Sequence, residues 1–429
     1  MKNISIPRIE AFSFYRSILG HSMLVDFRSL CEAYESADSL EGFAACHRDT
    51  YYQLKSKMLA YSFDKNEEYH YSKTPWCDYI ISEVISDENP LTLLFERGKV
   101  EENHPFYTSM SGEIKILNDL YHFDWGLFLK ETHLDDSNIF SSPIFFPIPP
   151  HDLIDSAFKT GDESKVFSAV NRYVSEYGLG IFENHVCFKV DSATDRLVPI
   201  EAQSYKTMDG LVGHERQKEE IIANTAAFIK NNTGLNVLLQ GDMGTGKSTM
   251  VKALLSTFKG SKLRMVELKK EQIRSIPAVL REIAGRPYPI ILFIDDLSFD
   301  DKEGDFKLFK NVLEGSLEEN PKNVRIYATS NKRHLVTETQ SERTDAVHTK
   351  DIMEEKLSLS SRFGLILTFT APNQKDYLAI VRKMAQDAGI DLPTARLESQ
   401  AIQWELRHLN RSGRTAEQFI QYLLVNQNK

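Results

Sequence analysis

The chain has 429 residues, of which 41% are hydrophobic and 26% charged, and its net charge is -10. That is the composition of a globular protein long enough for about two or three domains. It excludes a general nucleic-acid coat, whose footprint would be basic, while leaving room for a local basic groove.

Met1–Gly20 carries Lys2, Arg8, Glu10 and Arg16 and lacks the apolar stretch of a signal peptide. No apolar run approaches the roughly 18 residues of a membrane-spanning helix, so a cytoplasmic protein without membrane insertion is expected. Ile114, Leu117, Tyr121, Leu127 and Phe128 recur at helical spacing and predict one helix face. Ser141–Pro150 is too rich in proline for a helix and reads as an extended connector. A helical stretch follows, to about Tyr177. Val186–Val190 and Leu197–Ile200 flank Asp191–Arg196 as strand, turn and strand. Cys31, Cys46, Cys77 and Cys187 show neither metal-site spacing nor a disulfide pattern, which suits reduced thiols.

Beyond residue 205 strands and helices alternate. Strands are expected at Leu235–Gln240, Leu263–Leu268, Pro289–Ile294, Val324–Thr329 and Leu365–Phe369. Helices are expected at Lys247–Phe258, in a stretch ending near Gly285, and at Phe306–Leu317. Pro289–Ile294 is almost wholly apolar, as a central parallel strand should be. The alternation predicts a parallel sheet covered by helices. From Pro372 only helices are expected. Asn373 caps the first, with Asp376 as its box-like partner. Tyr377, Ile380, Val381, Met384 and Ala388 line its inner face, and Gly389 ends it. A second helix spans about Glu398–Leu409. A third starts near Ser412 and buries Ala416, Phe419, Ile420 and Leu423.

Gly241-Asp242-Met243-Gly244-Thr245-Gly246-Lys247-Ser248 matches G-x-x-x-x-G-K-[ST], with a strand before it and a helix after it. Its glycines let successive N–H groups turn onto an anion, and the helix opening at Lys247 points its positive end the same way. Lys247 should reach the β- and γ-phosphates, and the Ser248 hydroxyl should bind magnesium. Strand Ile290–Ile294 runs into Asp295 and Asp296. Carboxylates at such a strand end face the ligand crevice of an open α/β sheet. Asp295 is placed for the magnesium shell, and Asp296 for orienting or deprotonating an attacking water. The strand at Val324 runs through Thr329 and Ser330 to Asn331, whose amide could position water; Thr329 or Ser330 could serve instead. Arg362, just before a strand, and Arg414, opening a helix, are arginines able to neutralise developing phosphate charge. No histidine spacing calls for a metal beyond nucleotide-bound Mg2+.

These motifs resemble the AAA+ ATPase superfamily over roughly Lys206–Lys429. Leu211-Val212-Gly213-His214 looks like the segment that wraps adenine, so Val212 and Gly213 are implied there. The resemblance implies a Walker A cradle of Gly241, Asp242, Met243, Gly244, Thr245, Gly246, Lys247, Ser248 and Thr249, and a Walker B at Asp295 and Asp296. It further implies sensor 1 at Asn331, an arginine finger at Arg362 and sensor 2 at Arg414. A closer resemblance is to a bacterial AAA+ family, domain of unknown function 815. It rests on Gly213–Lys218, Phe293–Phe299, Tyr327–His334, Glu355–Leu365 and Arg411–Ala416. That family carries an N-terminal helical region as well. The chain departs from it at Ser361, where an acid is expected before the arginine.

The implied organisation is a mainly α-helical domain over residues 1-200, an AAA+ α/β ATP-binding core over 206-371 and a helical lid over 372-429. The implied activity is Mg-dependent ATP hydrolysis by a homo-oligomer, ring or filament, acting as a switch or remodeller on an unknown protein or DNA client. A slow-turnover loader or binding module is the second expectation, because Walker B ends Asp-Asp where many AAA+ proteins have Asp-Glu. A small-molecule P-loop kinase is disfavoured by the late arginine-bearing helices. The charged stretch Lys332–Glu355 reads as a solvated insert or as a nucleotide-sensitive element leading to Arg362, with Arg333 and His334 just past the sensor position as candidates to contact a neighbour.

Overall fold

The computed structural model describes residues 2–64, 70–98, 100–101, 104–105, 107–134, 138–145, 147, 150–200, 207–298, 303–314, 321–331 and 359–427. The insert expected at 332–355 and parts of the proline-rich stretch, Phe146, Ile148 and Pro149, lie outside them. Two compact units emerge, Met1–Asn184 and His185–Lys429. Among the described residues no helix is long and apolar enough to cross a membrane, and none of the four cysteines is in a disulfide.

The first unit is helical: α1 (Ser22–Ser36), α2 (Phe43–Asp64), α3 (Pro75–Ser86), α4 (Pro90–Glu96), α5 (Tyr107–Tyr121), α6 (Trp125–Thr132), α7 (Asp152–Phe158), α8 (Glu163–Tyr177) and α9 (Ile181–Asn184). Aromatic residues fill its core. Trp76, Trp125, Phe27, Phe123 and Phe140 are buried against one another, an arrangement that adds edge-to-face and stacking energy to plain burial. Asp78 is fully buried. It accepts hydrogen bonds from Tyr61 Oη (2.6 Å), Tyr71 N (2.6 Å) and Ser72 N (3.1 Å), which offset the cost of burying a carboxylate. The single face expected through Ile114 and Phe128 is two helices. Asp124 caps α6 by accepting from Leu127 N at 2.9 Å. The break falls at about two helical turns, so periodicity alone runs through it.

The second unit is built on a seven-stranded sheet ordered β2-β1-β4-β5-β6-β3-β7. Its strands are β1 (Cys187–Val190), β2 (Leu197–Pro199), β3 (Val237–Gly241), β4 (Arg264–Lys269), β5 (Ile290–Asp295), β6 (Val324–Ser330) and β7 (Leu365–Phe369). Among the described residues every pairing is parallel except β1 with β2. Around it stand α10 (Glu215–Asn231), α11 (Lys247–Thr257), α12 (Ile276–Ile283) and α13 (Glu303–Glu314). Ile290 to Ile294 are all fully buried, because a strand at the centre of a parallel sheet is covered on both faces. The sequence alone suggests that everything up to residue 200 belongs to the first domain. The division instead falls after Asn184, because Cys187, Phe188 and Lys189 pair in register with Met265, Val266 and Glu267 of β4.

Three helices close the chain: α14 (Gln374–Asp387), α15 (Thr394–His408) and α16 (Gly413–Gln427). Asn373 caps α14 through Asp376 N at 3.0 Å. Tyr377, Val381, Ala401, Ala416 and Phe419 form their shared core. α15 opens at Thr394, about a turn before the expected Glu398, since Pro393 is well placed just ahead of a first helical turn.

Candidate functional site

Parallel strands deliver their C-terminal ends to one edge of the sheet, and that edge carries the chemistry. β3 ends at Gly241, with φ 132, beside Phe369 at the end of β7. The chain then turns through Gly244 (φ 75) and Gly246 (φ 90), conformations that side chains with a Cβ resist. α11 begins at Lys247 directly after Gly246, so the unpaired N–H groups of its first turn look into the turn just made. Lys247 is only 5% exposed. Its ammonium donates to Gly241 O at 2.9 Å and Asp242 O at 2.7 Å. Burial pulls its pKa below the ordinary lysine value, opposed by Asp242, Asp296 and Asp295.

Asp295 closes β5 and meets two hydroxyls. Ser248 Oγ donates to its Oδ1 at 2.5 Å and Thr329 Oγ1 donates to the same oxygen at 2.6 Å. Asp296 has φ 55, a left-handed conformation that a non-glycine residue holds at a cost of about 1–2 kcal/mol. Its N–H donates to Thr329 Oγ1 at 2.9 Å, and its Oδ1 accepts from Asn331 Nδ2 at 2.8 Å. Thr329 therefore orients both acids, a role the sequence hints at only as a polar strand end. Strained backbone maintained by such bonds concentrates at functional sites.

These groups border a cleft of about 820 Å³, within the range of ligand pockets. Met243 to Thr249, Asp295, Asp296, Asn331 and Arg414 all line it. Val212, Gly213 and His214, and Ile380 and Met384 of α14, line the same cleft. The aromatic ring of His214 lies 4.8 Å from that of Phe369. Burial, then Lys218, lowers the His214 pKa below the ordinary histidine value. Ile380 and Met384 are not among the residues predicted to bind, and their signal is only a helical stripe; His214 falls in the segment whose resemblance implied Val212 and Gly213.

The lid touches the phosphate loop directly. Gly413 N donates to Gly244 O at 3.0 Å, and a Cβ on Gly244 would lie 2.8 Å from Ser412 Oγ. Asp242 Oδ2 accepts from Ala371 N at 2.7 Å, tying the loop to the chain leading into the lid. Arg414, in the first turn of α16, thus borders the cleft beside the loop.

Arg362 stands elsewhere. It precedes β7 by three residues, while Phe369, the last residue of β7, pairs with Gly241. At about 3.3 Å per residue the length of β7 alone is roughly 13 Å, more than an arginine reaches. Arg362 lines a smaller hollow of about 310 Å³ at the opposite edge, with Leu235, Asn236, Pro321, Val324 and Gly364. Its Nη2 lies 2.8 Å from Glu314 Oε1, so α13 supplies the carboxylate that Ser361 does not.

The donor set facing the cleft suits a magnesium nucleotide. Serine and aspartate oxygens form the end that would hold Mg2+, which takes one or two protein oxygens and leaves its other positions to phosphates and water. Lys247 and the backbone N–H groups at the start of α11 would hold the nucleotide's phosphates.

A family model described as protein of unknown function (DUF815) matches residues 183–427. It begins just before β1, so the β1–β2 hairpin falls inside it and most of the helical unit outside. The replication factor C large subunit of Methanococcus vannielii is 26% identical over 217 residues, 47% of this chain. The chain spans about two fifths of that relative's length (41%). Among solved structures, the Thermotoga maritima RuvB Holliday junction branch migration motor overlaps 51% of this chain and 72% of its own, at 15% identity and a TM-score of 0.34. A point mutant of the same motor overlaps the same shares at 16% identity and a TM-score of 0.35. Neither overlap is close enough to carry a residue role from one protein to the other.

Proposed function

We propose that this chain, which belongs to the DUF815 family and has an AAA+ fold, binds ATP with magnesium and hydrolyses it as an assembly of identical subunits. The observation that carries this reading is the convergence of Lys247, Ser248, Asp295 and Asp296 on one cleft at the mouth of α11. When bound, magnesium would neutralise β- and γ-phosphate charge from the side of Ser248 and Asp295. Lys247 and the N–H groups from Gly244 to Ser248 hold the phosphates. Val212, Gly213, His214, Ile380 and Met384 enclose the base. Asp296, steadied by Asn331, aligns and takes a proton from the attacking water. Arg414 completes the cradle from the lid.

Assembly is supported by the position of Arg362. It lies too far from its own cleft to touch a phosphate there, so a charge-neutralising role requires the cleft of another copy. Such a head-to-tail contact generates a ring or a filament. A protein or DNA client is then the object of the switch, and the name of the curated relative keeps DNA among the clients to test. Slow turnover has one observation in its favour: the second acid is Asp296, whose carboxylate reaches one methylene less far than that of a glutamate.

The direct test is calorimetry of full-length protein with ATP and Mg2+. Wild-type chain is expected to bind, and Lys247→Ala to lose about tenfold to hundredfold in affinity, the range for a hydrogen bond to a charged group. Mg-dependent uptake unchanged by that substitution would end the reading.

A further inference from the structure

We infer that Glu314 is a positioning residue for Arg362, aiming its guanidinium from the end of α13. This rests on the proposed action of Arg362 at a neighbouring copy's cleft. The backbone around Arg362 is well anchored. Leu359 and Phe363 are buried, Arg362 N donates to Leu359 O at 3.1 Å, and Phe363 N donates to Ser360 O at 3.1 Å. The Phe363 ring lies 6.4 Å from that of Phe309, itself fully buried on α13. The side chain is a different matter. It is 44% exposed and carries several rotatable bonds whose freedom must be lost before it can meet a phosphate at one fixed angle.

Glu314 removes much of that freedom in advance. Its Oε1 lies 2.8 Å from Nη2, and its own side chain is 24% exposed, so the contact is partly shielded from water and salt. One such contact leaves donors on the planar, five-donor fork for a second anion. The pair therefore orients the arginine without consuming it. Anchor and aiming group come from the same helix, since Phe309 and Glu314 both belong to α13. α13 also receives an ion pair nearer its other end, Arg274 Nε to Asp305 Oδ1 at 2.7 Å.

The test is steady-state ATP hydrolysis by full-length Glu314→Ala and Glu314→Gln, alone and mixed with a fourfold excess of Lys247→Ala subunits. Each Glu314 variant keeps its own cleft intact and presents a poorly aimed arginine to its neighbour. Glu314→Ala alone is expected to lose about tenfold in kcat, the effect of freeing one long side chain, with KM for ATP unchanged within about twofold. Glu314→Gln, which keeps length but loses charge, is expected to fall between it and wild type. In the mixture, Lys247→Ala subunits supply well-aimed arginines, so turnover per competent cleft should return to at least half of wild type. A merely structural role for Glu314 would damage its own subunit and leave no such recovery. Wild-type or faster turnover by Glu314→Ala, or a loss the mixture does not recover, overturns the proposal. Arg362→Ala is run in the same mixture. If that variant is not rescued, it is the trans-acting arginine that fails, whatever Glu314 does.

Discussion

Asp296→Asn is expected to slow ATP hydrolysis by about 10²–10⁴-fold, the usual contribution of a positioned general base, while ATP affinity stays within about threefold of wild type. The substitution keeps the volume of the side chain and an oxygen able to accept from Asn331 Nδ2, now at 2.8 Å from Oδ1. The backbone geometry has reason to persist too, since the bond from Asp296 N to Thr329 Oγ1 does not involve the side chain being changed. What disappears is the capacity to take a proton from water. The check is single-turnover phosphate release alongside retention of labelled ATP. Hydrolysis within about threefold of wild type would remove Asp296 from the chemistry and shift attention to Asn331 and Thr329. Because the variant should hold ATP unhydrolysed, it is also the form with which to recover a client.

The second large effect concerns folding. Gly241→Ala is expected to destabilise the second unit by about 2–5 kcal/mol, combining overpacking with the cost of a left-handed backbone. A Cβ there would fall 1.9 Å from Phe369 O and 2.8 Å from Phe369 C. Those atoms belong to the paired strand, so relief means parting β3 from β7, which pair at Gly241 and Phe369. It would also stretch the 3.0 Å bond from Asp242 N to Phe369 O. Gly260→Ala is the control: φ is +85, but nothing lies within 4 Å of the new atom. It should cost only the backbone part, about 1–2 kcal/mol. Urea unfolding with the midpoint compared at constant slope measures both. Equal midpoints for the two variants would mean that the strand ends separate easily.

The phosphate loop, the strand into Asp295 and the helical lid are legible in the sequence because each is a local pattern: glycines at fixed offsets, a continuous apolar run, or a 3.6-residue stripe. What stays hidden depends on which segments meet. β1 and β2 read correctly as a strand pair, but nothing local says that β1 docks on β4. Thr329 looks like a strand-end hydroxyl, and its double hold on Asp295 and Asp296 emerges only once β5 and β6 lie side by side. The partnership of Glu314 with Arg362 joins the end of a helix to a turn far along the chain, which no periodicity links. The α5–α6 break is hidden for the opposite reason, since a regular pattern continues across two separate helices.

The meeting of Gly244 with Ser412 and Gly413 makes two distant positions a single lock. A Cβ at 244 would press on Ser412 Oγ at 2.8 Å and Ser412 Cβ at 2.9 Å, so the sizes of the residues at 244 and 412 constrain each other. The 3.0 Å bond from Gly413 N to Gly244 O ties the placement of the loop to that of the residue that opens α16.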